Sequence, residues 1–379
     1  MELLPVMLWM IFFLGLFIVS PSFNIKTSDE ESVECVDIYE QPAFHHDLLK
    51  THKIQKQPSE IPKPVQIKQK NKWDTREADV STWQCPEGTV PIRNDETTSS
   101  TSTGESYPRE HAVVTTNEIP PKMYGAKATM SVWNPTVETE GEFSLSQIWI
   151  TSGSYKTNNL NSIEVGWQVL PDLYQDKKTR LFIYWTSDTY NVTGCYNLLC
   201  PGFIQTSNRI VLGGTITPIS VFGGKQSEIT VFVWKDQKSG NWWLSLGSNH
   251  SLVGYWPAEI FANLAYADEV QWGGEIVNSQ SLGRHTTTHM GSGHFSDEGF
   301  GKVGYFRNLE IIDNNRFQPV QDITVKATDR KFYDIKDMFR EDWGTYFFYG
   351  GPGRIHSGVS SLALSSFFFY FSFIIFFII

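Results

Sequence analysis

Two segments place a carboxylate where a strand disfavours one. In "NSIEVGWQV", residues 161–169, Ile163, Val165, Trp167 and Val169 alternate onto one face, and Ser162, Glu164, Gly166 and Gln168 onto the other. In "VQWGGEIVNS", residues 270–279, Val270, Trp272, Gly274 and Ile276 oppose Gln271, Gly273, Glu275 and Val277. Each segment has a glutamate two residues from a same-face glycine and four from a same-face glutamine, although glutamate and glycine are both depleted in strand interiors. A glycine there clears room for another backbone. If both strands lie in one sheet, Glu164 and Glu275 meet across its water-facing side. Two close carboxyls resist joint ionisation, so the pair holds one proton and supplies a base and an acid together. That is the equipment for attacking an amide with water. Two other readings stay open: solvated strand faces with no chemistry, and a glycosidase, since paired carboxylates also cut sugars.

Other constellations carry less. His285, His289 and His294 in "GRHTTTHMGSGHF" have H-x-x-x-H spacing, but that binds zinc on a helix, and this Thr/Gly/Ser-rich run reads as strand or hairpin. No G-x-S-x-G elbow and no phosphate loop occur. The expectation is therefore no metal and no cofactor.

The elements that must position the glutamates are short. Within 379 residues, 40% apolar and 19% charged, runs such as "AKATMSVW", "FSLSQIWI", "RLFIYW", "EITVFVW" and "NWWLSLG" follow one another between Gly, Asn, Asp and Pro turns. With 26 Phe, 15 Tyr and 13 Trp, this describes an all-β sandwich or barrel. Trp242 and Trp243 are adjacent, so one of them must face the core. The net charge of −10 argues against a nucleic-acid partner.

Composition divides the chain. Residues 1–22 read as a secretory signal, with an uncleaved anchor as the competing reading because Glu2 replaces the usual basic residue. Residues 23–107 form a distinct segment. Its basic, Pro-rich stretch around 49–72 reads as an extended strap that would lie over an acidic cleft at neutral pH, and "ETTSSTSTGESYPRE" reads as a joint open to proteolysis. A strand-rich domain fills 108–355, and an apolar tail fills 356–379. The tail is a cleaved lipid-anchor signal, a membrane tail anchor or translated non-coding sequence. Cys35, Cys85, Cys195 and Cys200 fit an oxidising compartment; of three possible pairings, the "CYNLLC" spacing favours Cys195–Cys200, leaving Cys35–Cys85. Asn191-Val-Thr and Asn249-His-Ser are glycosylation sequons, which also suit secretion.

Longer strings carry a resemblance. "CVDIYEQPAFHHDLLKTHKIQ" and "CPEGTVPIR" in the first segment, and "YGAKATMSVWNP", "FSLSQIWI", "NSIEVGWQV", "TGCYNLLCPGF", "GYWPAEIF", "WGGEIVNS", "MGSGHF" and "DWGTYFFYGGPG" in the second, resemble the plant neprosin family of secreted glutamic peptidases. The resemblance implies an activation peptide over 23–107, an antiparallel β-sandwich peptidase domain over 108–355, catalytic roles for Glu164 and Glu275, and the pairings Cys35–Cys85 and Cys195–Cys200. It also implies cleavage after proline at acid pH from an inactive precursor, with proline-containing peptides as substrates and the propeptide as an intramolecular partner. Gln168 and Gln271 would orient water or substrate, and Tyr184 and Trp185 would line a proline pocket. Trp167 and Trp272 face away and are expected in the core. A cysteine pair typical of the family, near Phe332 and just after "YGGPGR", is missing. The expected location is the plant apoplast or cell wall, or a membrane if the tail anchors the chain. The rival is a non-catalytic extracellular β-sandwich that binds glycans or peptides.

Overall fold

The computed structural model describes residues 32–63, 73–94, 107–117, 122–340 and 343–355. The expected signal segment, much of the Ser/Thr-rich joint, the strap residues 64–72 and the apolar tail lie outside them. The described strands are β1 (Val33–Asp37), β2 (Thr75–Glu77), β3 (Asp79–Val80), β4 (Thr89–Arg93), β5 (Arg109–Thr116), β6 (Gly125–Ser131), β7 (Ser144–Ser152), β8 (Asn161–Val169), β9 (Arg180–Thr186), β10 (Ile204–Gln205), β11 (Ile216–Thr217), β12 (Gln226–Lys235), β13 (Trp242–Leu246), β14 (Ser251–Trp256), β15 (Glu269–Val277), β16 (Gly304–Asp313), β17 (Arg316–Pro319), β18 (Ile323–Ala327), β19 (Asp334–Arg340) and β20 (Gly344–Gly350). A one-turn helix α1 (Pro171–Tyr174) follows β8.

Two sheets form the expected sandwich. One has six strands in the order β18-β5-β15-β7-β8-β9; the other has ten, running β10-β14-β13-β12-β6-β16-β20-β19, with β17 on β16 and β2 on β12. Neighbouring strands of the six-stranded sheet are antiparallel throughout. Side chains alternating inward from both sheets make the core: Ile163, Val165, Trp167, Val270 and Trp272 meet Ala128, Met130, Val231, Val233, Trp242 and Phe347. Trp167 and Trp272 are fully buried, as their alternation required.

The outer faces are less wet than the alternation suggests. All nine residues of β8 are buried. Outside the six-stranded sheet a second apolar cluster, including Leu145, Trp149, Leu173, Tyr174 and Phe182, is roofed by α1 and by the Cys195–Cys200 loop. Outside the ten-stranded sheet Phe232, Trp234, Trp243 and Tyr255 form a third cluster, covered by Ala43, Phe44 and Ile54 of the N-terminal segment. Trp242 and Trp243 are thus both buried, one in the core and one under this segment.

The strap expectation needs correction. Its described part runs along the back of the ten-stranded sheet, away from Glu164 and Glu275. His52 Nε2 lies 2.9 Å from Tyr255 Oη, Ser59 N donates to Asp236 Oδ2 at 2.7 Å, Trp234 Nε1 donates to the Glu60 carbonyl at 3.1 Å, and Lys238 pairs with Glu60 at 2.6 Å. The aromatic back face, with large apolar area to cover, captures the segment more strongly than charge alone would. The Cys35–Cys85 disulfide closes this segment, with β1 paired to β4. Near Phe332, where the resemblance leads one to expect a disulfide, the Phe332 ring stacks on His285 with centroids 3.5 Å apart.

Gly166 shows why β8 needs a glycine. A Cβ there would lie 1.9 Å from the Ser146 carbonyl oxygen and 2.6 Å from the Gln147 Cα. Gly166→Ala is expected to destabilise the protein by roughly 1–3 kcal/mol through overpacking, read as a drop in the thermal midpoint. An unchanged midpoint would mean that the strands part there without cost.

Candidate active site

The site is a grid on the outer face of the six-stranded sheet. β7 runs between β8 and β15, so each of its residues has a partner on either side. Trp149 lies between Glu164 and Gln271, Gln147 between Gly166 and Gly273, and Leu145 between Gln168 and Glu275. The mirrored motifs Glu-x-Gly-x-Gln and Gln-x-Gly-x-Glu therefore set the two glutamates at diagonal corners, with Gln147 at the centre. In a flat sheet the corner Cα atoms would stand roughly 16 Å apart, from strand spacing and rise. The two carboxyls approach each other only by leaning inward over Gln147.

This differs from two touching carboxyls. No hydrogen bond joins Glu164 to Glu275 among the described residues, and each has its own partners. Glu164 Oε1 accepts from Ser162 Oγ at 2.8 Å and Tyr190 Oη at 2.6 Å, while Oε2 accepts from Gln147 Nε2 at 3.0 Å. Glu275 Oε1 accepts from Arg109 Nη1 at 2.7 Å, and its Oε2 lies 3.6 Å from His111 Nε2. Both glutamates are buried.

The neighbours push the two acids apart in strength. Burial dominates at Glu164 and, with the charge of Glu275, holds its pKa above the ordinary carboxyl value despite the donors Tyr190, Ser162 and Gln147. Burial is also the largest single influence at Glu275, but His111 and Arg109 together outweigh it and hold that carboxyl below its ordinary value. Arg109 projects from β5 and remains largely solvent-exposed while gripping the buried carboxylate. The arrangement thus makes one carboxyl the weaker acid and the other the stronger, through different surroundings rather than through contact.

The other expected site residues divide. Tyr184 stands beside Glu164 in register and faces the cleft. Trp185 does not: one position along β9 its side chain points the other way, into the core. Gln168 shares the face of Glu164 but is sealed under α1, its Nε2 donating to Tyr174 Oη at 3.1 Å. Gln271 lies in the row of Glu164 and is turned to the rim, bonded to Glu269 Oε1 at 2.9 Å. Asn191 and Asn249 are both exposed. His285 pairs with Glu110 at 2.8 Å and His294 with Glu298 at 2.8 Å.

Four residues at the site escaped the sequence reading: Gln147, Tyr190, Arg109 and His111. Gln147 is buried, and its Oε1 has no hydrogen-bond partner among the described residues. The usable signal was "FSLSQIWI", where a glutamine interrupts an apolar strand. Tyr190 sits in a loop, and no strand pattern points to it.

Residues 140–352 match the family model described as Neprosin, and residues 24–123 match the one described as Neprosin activation peptide. Among solved structures, scytalido-glutamic peptidase with a peptide-based transition state analog is 10% identical, with a TM-score of 0.34 over 65% of this chain and 98% of that one. SCP-B, a member of the eqolisin family of peptidases in complex with the tripeptide Ala-Ile-His, is 8% identical, with a TM-score of 0.33 over 64% of this chain and 98% of that one.

Arg109→Gln is expected to let the Glu275 pKa rise toward the ordinary carboxyl range. Carbon-13 titration of labelled glutamate side chains, assigned by loss of one resonance in Glu275→Gln, reads the shift. The sign for stability follows. A depressed folded pKa contributes stability above the unfolded value of about 4.3, and that stability fades as pH falls through the lower folded value. Arg109→Gln should therefore lessen the acid sensitivity contributed by this group. A Glu275 midpoint that stays put would assign the depression to His111 alone.

Proposed function

The chain belongs to the neprosin family of peptidases made with an activation peptide, and from that premise we propose a glutamic endopeptidase in which Glu275 is the general base and Glu164 the proton donor. The observation that carries the assignment is the unlike company of two buried carboxyls on one sheet face: Arg109 and His111 beside Glu275, which hold it low, and two hydroxyls and an amide around Glu164, whose burial holds it high.

In this reading a substrate peptide crosses the grid above Gln147. Ionised Glu275 takes a proton from water as the water oxygen bonds to the scissile carbonyl carbon. Neutral Glu164 hydrogen-bonds the carbonyl oxygen as negative charge builds there. The C–N bond then breaks, and the leaving nitrogen takes a proton from the carboxyl pair, which returns to one neutral and one ionised member. Gln147, buried at the centre of the grid with its amide on Glu164 Oε2, is suited to hold that carboxyl in position. Tyr155, Tyr184, Tyr190 and Tyr196, packed in sequence beside Glu164, offer flat apolar faces that suit a pyrrolidine ring and support cleavage after proline.

The apolar leader over 1–22, two disulfides and two exposed sequons support a secreted protein. We place the activating cut in the Ser/Thr-rich joint. Membrane attachment through the apolar tail is the alternative to free secretion, and mass spectrometry of both ends of the mature chain decides between them.

The assignment predicts a bell-shaped dependence of kcat/KM on pH. Activity falls on the acid side as Glu275 is neutralised, below the ordinary carboxyl value, and on the alkaline side as Glu164 loses its proton, above it. Proline-containing peptides incubated at pH 3 to 7 with wild type, Glu164→Gln and Glu275→Gln test it. Each substitution is expected to cost about 10²–10⁴-fold in kcat/KM. Turnover that survives either change would remove the two-glutamate mechanism, and glycan binding without turnover would favour the non-catalytic alternative.

A further inference from the structure

Glu164 is met by a loop built against backbone preference. Thr189 and Tyr190 follow each other at φ of 62° and 60°, in the left-handed region that side chains with a Cβ avoid. The loop gains little apolar burial in return, since its Val192 is 90% exposed. Polar bonds hold it instead. The Asp188 carboxylate accepts from the backbone N–H groups of Asn191, Val192 and Thr193 at 3.2, 2.9 and 3.1 Å, and from the hydroxyls of Thr186 and Thr193 at 3.1 and 2.6 Å. Thr189 is clipped to Leu160 by two bonds of 3.0 Å, and Tyr190 N donates to Thr186 Oγ1 at 2.9 Å. The result is a phenol Oη placed 2.6 Å from Glu164 Oε1, its ring between those of Tyr155 and Tyr184. Strain maintained by surrounding bonds and directed at a reacting group is characteristic of functional positions.

The two oxygens of Glu164 are thereby made unequal. Oε1 receives both hydroxyls, from Ser162 and Tyr190. Oε2 faces β7, the side on which Glu275 lies, and among the described residues bonds only to the Gln147 amide. A proton on Oε1 would displace a donor, whereas a proton on Oε2 needs only that the Gln147 amide turn over and present its unpartnered Oε1.

We propose that Tyr190 is a positioning residue of the peptidase site, delivered by the Asp188 loop, which confines the Glu164 proton to Oε2, the oxygen on the Glu275 side. The proposal rests on the two-glutamate reading. Tyr190 acts through Oε1 of Glu164 and leaves Oε2 to the Gln147 amide. The charged and titratable groups facing Glu164 are Tyr155 from the loop after β7, Tyr184 on β9, Tyr196 in the disulfide loop, Glu275 on β15, and Arg109 on β5, with Asp188 under the loop itself. Among the described residues none of these groups donates a hydrogen bond to Glu164, whereas Tyr190 does.

Tyr190→Phe keeps the ring and removes the hydroxyl. The expected result is a kcat at least tenfold lower with KM within about twofold. The alkaline limb of the pH profile should move upward, because the ionised form of Glu164 loses a donor. Asp188→Asn, which loosens the loop and leaves Tyr190 in place, should move the limb in the same direction. Carbon-13 titration of Glu164 reads that shift without requiring turnover, and thermal midpoints confirm that the variants fold. An unmoved Glu164 midpoint in Tyr190→Phe overturns the proposal and leaves the peptidase reading intact. So does a raised KM in Tyr190→Ala with wild-type kinetics in Tyr190→Phe, which would make the ring a mere subsite wall. A wild-type protein without turnover, whose Glu164 midpoint still shifts in Tyr190→Phe, overturns the peptidase reading and leaves the Tyr190–Glu164 coupling standing.

Discussion

Burying two carboxyls on one sheet face is the constraint around which the rest of this molecule is arranged. Each loses hydration worth several kcal/mol even after relaxation, and burial is the largest influence on the proton affinity of both. The compensation differs. Glu275 has a guanidinium and an imidazole at hand, whereas Glu164 has two hydroxyls and an amide. Neutral donors partly offset the loss, while a cation reverses it. Two residues of β5, His111 and Arg109, therefore separate two chemically identical side chains into a stronger and a weaker acid.

The sheet supplies the geometry. A glutamate, a glycine and a glutamine in that order on β8, and the reverse order on β15, are useful only because β7 is antiparallel to both, which makes β8 and β15 parallel to each other. The mirrored motifs then register corner to corner around Gln147. Gly166 lets the β7 backbone close on β8, and Gly273 does the same for β5, where a Cβ would lie 2.2 Å from the Ala112 carbonyl oxygen. On the opposite sheet, adjacent tryptophans are both buried because the N-terminal segment supplies a second apolar layer. That segment, which matches an activation peptide, is thus also part of the packing of the described chain.

Much of this was legible in the residues. Period-two alternation identified β8 and β15, separated Trp167 and Trp272 from the glutamates, and marked the odd glycines. What alternation could not report is what covers a face. Gln168 reads as wet because nothing local announces that α1 and Tyr174 close over it. Trp185 and Tyr184 were assigned to one pocket although adjacent strand residues point apart. Arg109 and His111 reach Glu275 from a strand more than 160 positions away in sequence, and Tyr190 arrives on a loop whose shape is set by one aspartate. Such contacts depend on register between distant strands and on loop hydrogen bonding, which composition and periodicity do not encode.

The position of Arg109 also links maturation to chemistry. It lies at the C-terminal end of the Ser/Thr-rich joint, as the third residue of the described stretch 107–117, and it stands at the first position of β5, paired in register with Val277. β5 lies between β15 and β18, so its removal would expose two inner strand edges. A cut upstream of Tyr107 leaves the strand and its cation in place. A cut just beyond Arg109 would strip Glu275 of one of the two partners that outweigh its burial, and its proton affinity would rise toward that of Glu164. In the proposed mechanism the division into base and acid would then weaken. On the proposed assignment, a side chain that helps keep Glu275 ionised also limits where the precursor can be opened.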